Sequence, residues 1–148
     1  MRNEPLTRYF ALAVGLVYLL VGVIGFIPAL YTSPPASAPH VDATASYGYL
    51  FGLFPVNALH DVVHILIGLI GIGCAARFVA ARAYAKGLFL IYGLLTILGT
   101  MPQADTVWGL IPIFSGDVVL HAATALAAGV VGWVVAEDDV APEEAVSH

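Results

Sequence analysis

Apolar residues fill this chain in long, nearly uncharged stretches separated by short segments rich in Pro, Gly and polar residues. A bilayer-spanning helix needs about 20 mostly apolar residues, because each advances only ~1.5 Å through a hydrocarbon core of about 30 Å. Stretches at about 9–27, 59–76, 84–100 and 117–136 meet that length or approach it. The third is short and requires Lys86 to extend its ammonium toward an interface. An outer-membrane barrel would instead show segments of roughly ten residues with alternating polarity. The pattern predicts an all-α integral membrane four-helix bundle, with residues 1–136 as one domain, an extracytoplasmic loop at 31–58 and an acidic tail at 137–148.

Composition sharpens this picture. Hydrophobic residues make up 60% of the chain and charged residues 10%, against roughly 25% charged in a soluble domain, and the mean hydropathy is +0.92. A net charge of −5, with five Lys and Arg, offers no basic patch to neutralise phosphates and excludes nucleic acid as a partner. Cys74, the lone cysteine, leaves no route to an intrachain disulfide or thiolate cluster. Arg2 and Arg8 precede the first stretch, Arg77, Arg82 and Lys86 lie between the second and third, and the 31–58 and 101–116 loops carry no basic residue. The positive-inside rule then places both termini in the cytoplasm and both of those loops outside, in a plasma membrane.

The N-terminal stretch exceeds the 7–15 apolar residues of a secretory signal, and Ala36-Ser37-Ala38 lies well beyond its end, so the segment reads as a span. The outer loop opens as a Pro/Ser/Ala linker at 32–39, with little capacity to form a core, and then turns aromatic at 47–51, a composition suited to the headgroup interface. The acidic tail reads as a solvated cytoplasmic end.

The chain also repeats itself. Gly52-Leu53-Phe54-Pro55-Val56 followed by His60 and His64 matches Gly109-Leu110-Ile111-Pro112-Ile113 followed by Asp117 and His121, at identical spacing. Arg8, Tyr18, Gly25 and Pro28 fall on Arg82, Tyr92, Gly99 and Pro102 at one constant offset. Two helical hairpins, about 8–76 and 82–136, are expected, related by a pseudo-two-fold axis along the membrane normal.

Residues four apart share a helix face, so His60 projects with His64, and Asp117 with His121. The same faces continue as Gly68, Gly71 and Ala75 on one helix and Thr124, Ala125, Ala128 and Gly132 on the other. Such small residues favour close helix approach, within this bundle or against a second copy or another membrane protein. Leu66, Leu69 and Ile70 are expected to meet lipid. Asn57 and Ser115 are the expected N-caps, which set His64 and His121 about 10 Å below the outer helix ends. Tyr18 and Tyr92 fall at similar depth, placed to hydrogen-bond a histidine or a ligand.

Three imidazoles and one carboxylate, His60, His64, Asp117 and His121, suit a divalent transition metal, with zinc, iron and copper all admissible. Asp61 is placed to orient His64. An exchangeable water on the metal would make lipid or amide hydrolysis accessible. Alternatives are haem b ligated by His64 and His121 in an electron-transfer subunit, and a non-enzymatic structural or partner-binding subunit. In the second case the polar residues hold helices in register, and Asp61 and Asp117 merely complement the helix dipole. A proton relay would need water, because the inner half of each span has no ionisable residue below the site. His40, in the loop, and His148, at the terminus, are expected to be solvated, and Asp105 near Trp108 to lie on a polar rim.

The block Gly52-Leu53-Phe54-Pro55-Val56-Asn57-Ala58-Leu59-His60-Asp61-Val62-Val63-His64, with Gly109-Leu110-Ile111-Pro112 and Gly116-Asp117 through His121, resembles a prokaryotic family of small four-span membrane proteins catalogued as domain of unknown function 4383. The likeness runs from about Arg8 to Ala136. It implies the fold, the membrane location and a prokaryotic origin, and brings no activity with it. The family resemblance also implies Asn at the position of Asp61, so that carboxylate is not expected to be indispensable.

Overall fold

The computed structural model describes residues 4–135. Helix α1 spans Glu4–Ile24, and a 3-10 turn at Pro28–Leu30 leads into strand β1, Tyr31–Thr32. Strands β2, Gly48–Leu50, and β3, Phe54–Val56, precede helix α2, Ala58–Cys74. Helix α3 spans Phe78–Gly99, and helix α4, Gly116–Gly129, continues as a π-helical stretch over Val130–Val135. Three of these helices are long and apolar enough to cross a membrane: α1, α3, and α4 with its extension, Gly116–Val135. Helix α2 has 17 residues, or about 25 Å at ~1.5 Å each. The acidic tail and His148 lie outside the described residues.

Apolar side chains cover the outside of the bundle: Leu16, Leu20, Leu66, Ile70, Leu90 and Leu126 are each more than half exposed, as befits a surface facing hydrocarbon. The inside holds small and aromatic residues, with Ala11, Ala81, Tyr84, Leu88, Tyr92, Ala125 and Ala128 in one cluster. Between two apolar surfaces in lipid there is no hydrophobic drive to associate, so packing must come from backbone proximity. Glycine supplies it between α1 and α2. A Cβ at Gly15 would stand 2.7 Å from Ile72 N and 2.9 Å from Gly68 O, and Gly22, Gly68 and Gly71 are buried along the same seam. The small-residue stripe of α2 is therefore used inside the chain.

Helix α3 begins at Phe78, not near residue 84. Charge in the sequence suggests a late start, yet helical backbone bonding is indifferent to it, and the long stems are accommodated. Arg82 Nε donates to Gly132 O at 3.4 Å, and the Lys86 ammonium sits 4.8 Å from the Trp133 ring centroid. Arg8 Nε donates to Ala75 O at 2.9 Å.

The 33–39 stretch has neither helix nor strand, but the loop around it is folded. Its strands form an antiparallel sheet in the order β1-β2-β3, pairing Tyr31 with Leu50 and Tyr49 with Pro55. Pro55 is tolerated because β3 is an edge strand. The sheet folds because its apolar residues find a partner surface: Val41, Leu50 and Val56 are buried with Ile113, and the Tyr49 and Phe114 rings lie 6.4 Å apart. Asp42 N and Ala43 N donate to Gly109 O at 2.8 and 3.1 Å, tying the two outer loops together. Each loop turns through a left-handed run that ends on glycine, Phe51-Gly52 at φ 55° and 73° and Val107-Trp108-Gly109 at φ 46°, 54° and 83°; at the glycine position the conformation costs no Cβ strain.

The glycine seam makes a direct prediction. Gly15→Val forces a branched side chain into backbone and is expected to reach or exceed the upper end of the ~1–3 kcal/mol typical of overpacking, read as a lowered melting temperature in detergent. Gly87, whose Cβ position has open space around it, is the control: Gly87→Ala is expected to leave melting unchanged or raise it.

Candidate metal centre

Helix α2 starts where it does because of Asn57. Its backbone is extended, at φ −146° and ψ 174°, and Oδ1 accepts from His60 N at 2.9 Å, as an N-cap should. The same side chain donates through Nδ2 to Ala43 O at 2.9 Å and Leu110 O at 2.7 Å. One residue thus joins the helix to both outer loops, and it is fully buried. The expected counterpart at Ser115 does not cap: its φ is 58° and its side chain makes no capping bond. The first turn of α4 is closed instead by backbone, with Asp117 N donating to Phe114 O at 3.3 Å and Val118 N to Ser115 O at 3.2 Å.

From these starts the i, i+4 pairs point inward. His60, His64, Asp117 and His121 are all buried, none more than 8% exposed. Each of the three histidines offers a ring nitrogen, and these atoms lie within 4.8 Å of one another. The His60 and His64 ring centroids are 4.4 Å apart, and those of His60 and His121 6.3 Å. Asp117 Oδ2 stands 3.8 Å from His60 Nδ1. That separation is beyond a hydrogen bond.

The decisive property of the cluster is what it lacks. Nδ1 of His60, of His64 and of His121, and Oδ2 of Asp117, are each buried without a hydrogen-bond partner. Leaving a buried polar atom unpaired costs about 1–3 kcal/mol, and this cluster holds four such atoms. A tyrosine packs on the histidine of each helix pair. Tyr18 meets His64 edge-on with centroids 5.1 Å apart and an interplanar angle of 68°, and Tyr92 meets His121 at 5.1 Å and 63°. The contacts are between rings: the Tyr18 hydroxyl bonds Thr124 Oγ1 at 2.9 Å, and the two tyrosine rings lie 5.2 Å apart.

Asp61 turns elsewhere. It is fully buried and neither oxygen has a hydrogen-bond partner, so it makes none with His64. Its carboxylate occupies the space where Gly25 lacks a side chain. Tyr31 is its nearest described phenol of consequence: burial first, and the negative field of Asp61 second, push that hydroxyl's pKa up. His40 is solvated as expected, its ring 86% exposed and paired with Asp42 at 3.0 Å. Asp105 is half-buried beside the exposed Trp108.

A second feature is absent from any sequence signal. A cavity of about 370 Å³ lies between α1 and α4 and ends at His64, Asp117 and His121. Its wall is otherwise apolar except for Tyr18 and Thr124.

Over residues 8–134 the chain matches the family described as domain of unknown function (DUF4383), and it belongs to that family. No curated protein and no solved structure matches it.

Removing the Asn57 side chain deletes a cap and strands two buried carbonyls. Asn57→Ala is therefore expected to destabilise the protein by about 2–4 kcal/mol, whereas Ser115→Ala, which removes no bond, is expected to leave melting within experimental error.

Proposed function

We propose that this member of the DUF4383 family is an integral membrane protein that holds one divalent transition-metal ion at His60, His64 and His121, with Asp117 as the carboxylate completing the site. One observation carries this reading: three buried histidines each bring a ring nitrogen within 4.8 Å of the others, each leaves its Nδ1 unpaired, and the unpaired Oδ2 of Asp117 stands 3.8 Å from that of His60. Were these histidines there to hold helices in register by hydrogen bonding, their nitrogens would be paired with neighbours. A bound cation satisfies all of them at once. The donor set is nitrogen and oxygen without thiolate, which suits zinc, iron or copper. Three neutral imidazoles leave a divalent charge uncompensated, and Asp117 offsets half of it in a low-dielectric setting where bare charge is costly. The bunching of three rings favours a single ion over haem, whose plane needs two imidazoles set apart.

A fifth position on a metal held by the three histidines and Asp117 would admit a water and lower its pKa toward neutrality, which would supply hydroxide for hydrolysis of an ester or amide. The groove that ends at His64, Asp117 and His121 gives that position an approach.

The same reading includes orientation and ancestry. Arg8, Arg77, Arg82 and Lys86 gather at the end of the bundle opposite the sheet, and the positive-inside rule makes that end cytoplasmic in a plasma membrane, with the metal site toward the outer face. Duplication of a hairpin is supported by contacts that recur at the offsets found in the sequence. Arg8 reaches Ala75 as Arg82 reaches Gly132. Tyr18 packs on His64 as Tyr92 does on His121. Gly25 abuts Asp61 as Gly99 abuts Val118, and the turns at Gly52 and Gly109 each place an aromatic residue and the glycine at positive φ.

Elemental analysis after chelator-free purification in mild detergent tests the proposal. About one transition-metal ion per chain is expected, lost in His64→Ala and in His121→Ala and retained in Asp61→Asn, whose side chain faces away from the site. Wild-type protein that purifies without metal from metal-replete cells, and takes none up on addition of zinc, iron or copper, overturns it.

A further inference from the structure

We infer that the groove between α1 and α4 is a lateral entry for a membrane lipid, which lays an acyl chain along the two helices and brings an uncharged polar group to the histidine and carboxylate cluster. At its polar end this rests on the metal reading above. Along its length it stands on the groove itself.

The cavity measures about 370 Å³, within the roughly 300–1,000 Å³ of small-molecule sites. Its direction identifies the occupant. On α1 it follows the helix from Val21 down to Phe10, about 16 Å at ~1.5 Å per residue; on α4 it follows from Asp117 to Ala127. The polar end therefore lies toward the sheet and the apolar length runs toward the middle of the bilayer. A lipid of the adjacent leaflet has that same orientation, with its polar group outward and its chain inward. A peptide has no reason to match it, since its backbone would bring unpaired polar groups along an apolar wall. Val17 and Ala127, on the two walls, are exposed at the bundle surface, so entry is from the side and not through the sheet.

Charge narrows the class. The lining contains no Lys or Arg, and its ionisable groups are His64, Asp117, His121 and Tyr18. No lining side chain pairs with a phosphate, so a phosphate would have only the half-compensated ion to hold it, with the Asp117 carboxylate opposing. The polar groups suit an ester, amide or hydroxyl instead.

Among the described residues, the equivalent seam on the other side is lined differently. Under the sequence offsets, the seam between α3 and α2 corresponds to the seam between α1 and α4. There Leu88 stands for Val14, Ile91 for Val17, Ile67 for Thr124 and Ile70 for Ala127. Each replacement is larger, and Tyr84 at the position of Phe10 closes the seam by donating from its hydroxyl to Ile67 O at 3.2 Å. The groove is thus made by smaller residues at particular positions, not by loose packing throughout.

Photo-crosslinking tests this. The purified full chain in phosphatidylcholine vesicles is irradiated with a trace of diacylglycerol carrying a diazirine in its acyl chain, and labelled residues are mapped by mass spectrometry, with metal content measured on the same samples. Labelling concentrated on the facing sides of α1 and α4 is expected, at least several-fold above Leu90 or Leu94 on the outer face of α3. A several-fold loss is expected in Ala127→Ile, with bound metal unchanged, and phosphatidic acid with the same chain is expected to label the groove more weakly. Should Ala127→Ile not fold, Ala123→Leu fills the same wall. Labelling spread evenly over the lipid-facing surface, labelling insensitive to both variants, or a chain-to-chain crosslink through the groove overturns the inference. Groove labelling without metal would overturn only the metal reading, and metal without groove labelling only this one.

Discussion

Three hydrogen bonds from one side chain set the depth of everything that follows. Asn57 caps α2 at His60 and holds a carbonyl from each outer loop. A helix rises only ~1.5 Å per residue and turns about 100°, so a shift of α2 by one position would swing His60 and His64 off the common face. The cap fixes register, and register fixes which side chains meet those of α4. Because the two carbonyls come from residues 43 and 110, the sheet, the second loop and the helix start move as one unit.

Beneath that unit, two opposite strategies for polar groups coexist. In hydrocarbon, backbone amides must be satisfied internally, and the helices and the small sheet meet that demand. Among side chains, Thr96 and Thr100 return their hydroxyls to Tyr92 O and Ile97 O, and Tyr18 pairs with Thr124. The histidine and carboxylate cluster does the reverse, with Nδ1 of each histidine and Oδ2 of Asp117 buried and left unpaired. Polar residues inside a bundle are rare and expensive, so a set that forgoes available partners points to a ligand that supplies them.

How much of this was legible in the sequence depends on the length scale of the signal. Spans and outward leucines follow from hydropathy, and the inward stripe from spacing of four. The start of α3 was misread because Arg82 and Lys86 lower hydropathy without touching helical hydrogen bonds. The sheet escaped notice because strands of two or three residues are shorter than any periodicity. Its core became visible only once Val41 and Leu50 met Ile113 across the chain. Ser115 looked like a cap by residue type, but its left-handed backbone turns the hydroxyl away from that role. Asp61 shares a helix side with His64 at a spacing of three, yet the missing side chain of Gly25 offers it a different space. The groove was unreadable, since it arises between helices at opposite ends of the chain.

On the proposed duplication, His60 and Asp117, which face each other at 3.8 Å, hold equivalent places in the two hairpins, and that carries an evolutionary corollary. A homodimer of identical hairpins must present the same residue on both sides of its two-fold axis, which permits two imidazoles or two carboxylates there but never one of each. Joining both halves in a single polypeptide lifts that restriction and lets the axis carry unlike groups. On the duplicated reading, the chemistry of this centre postdates the gene fusion that made the chain.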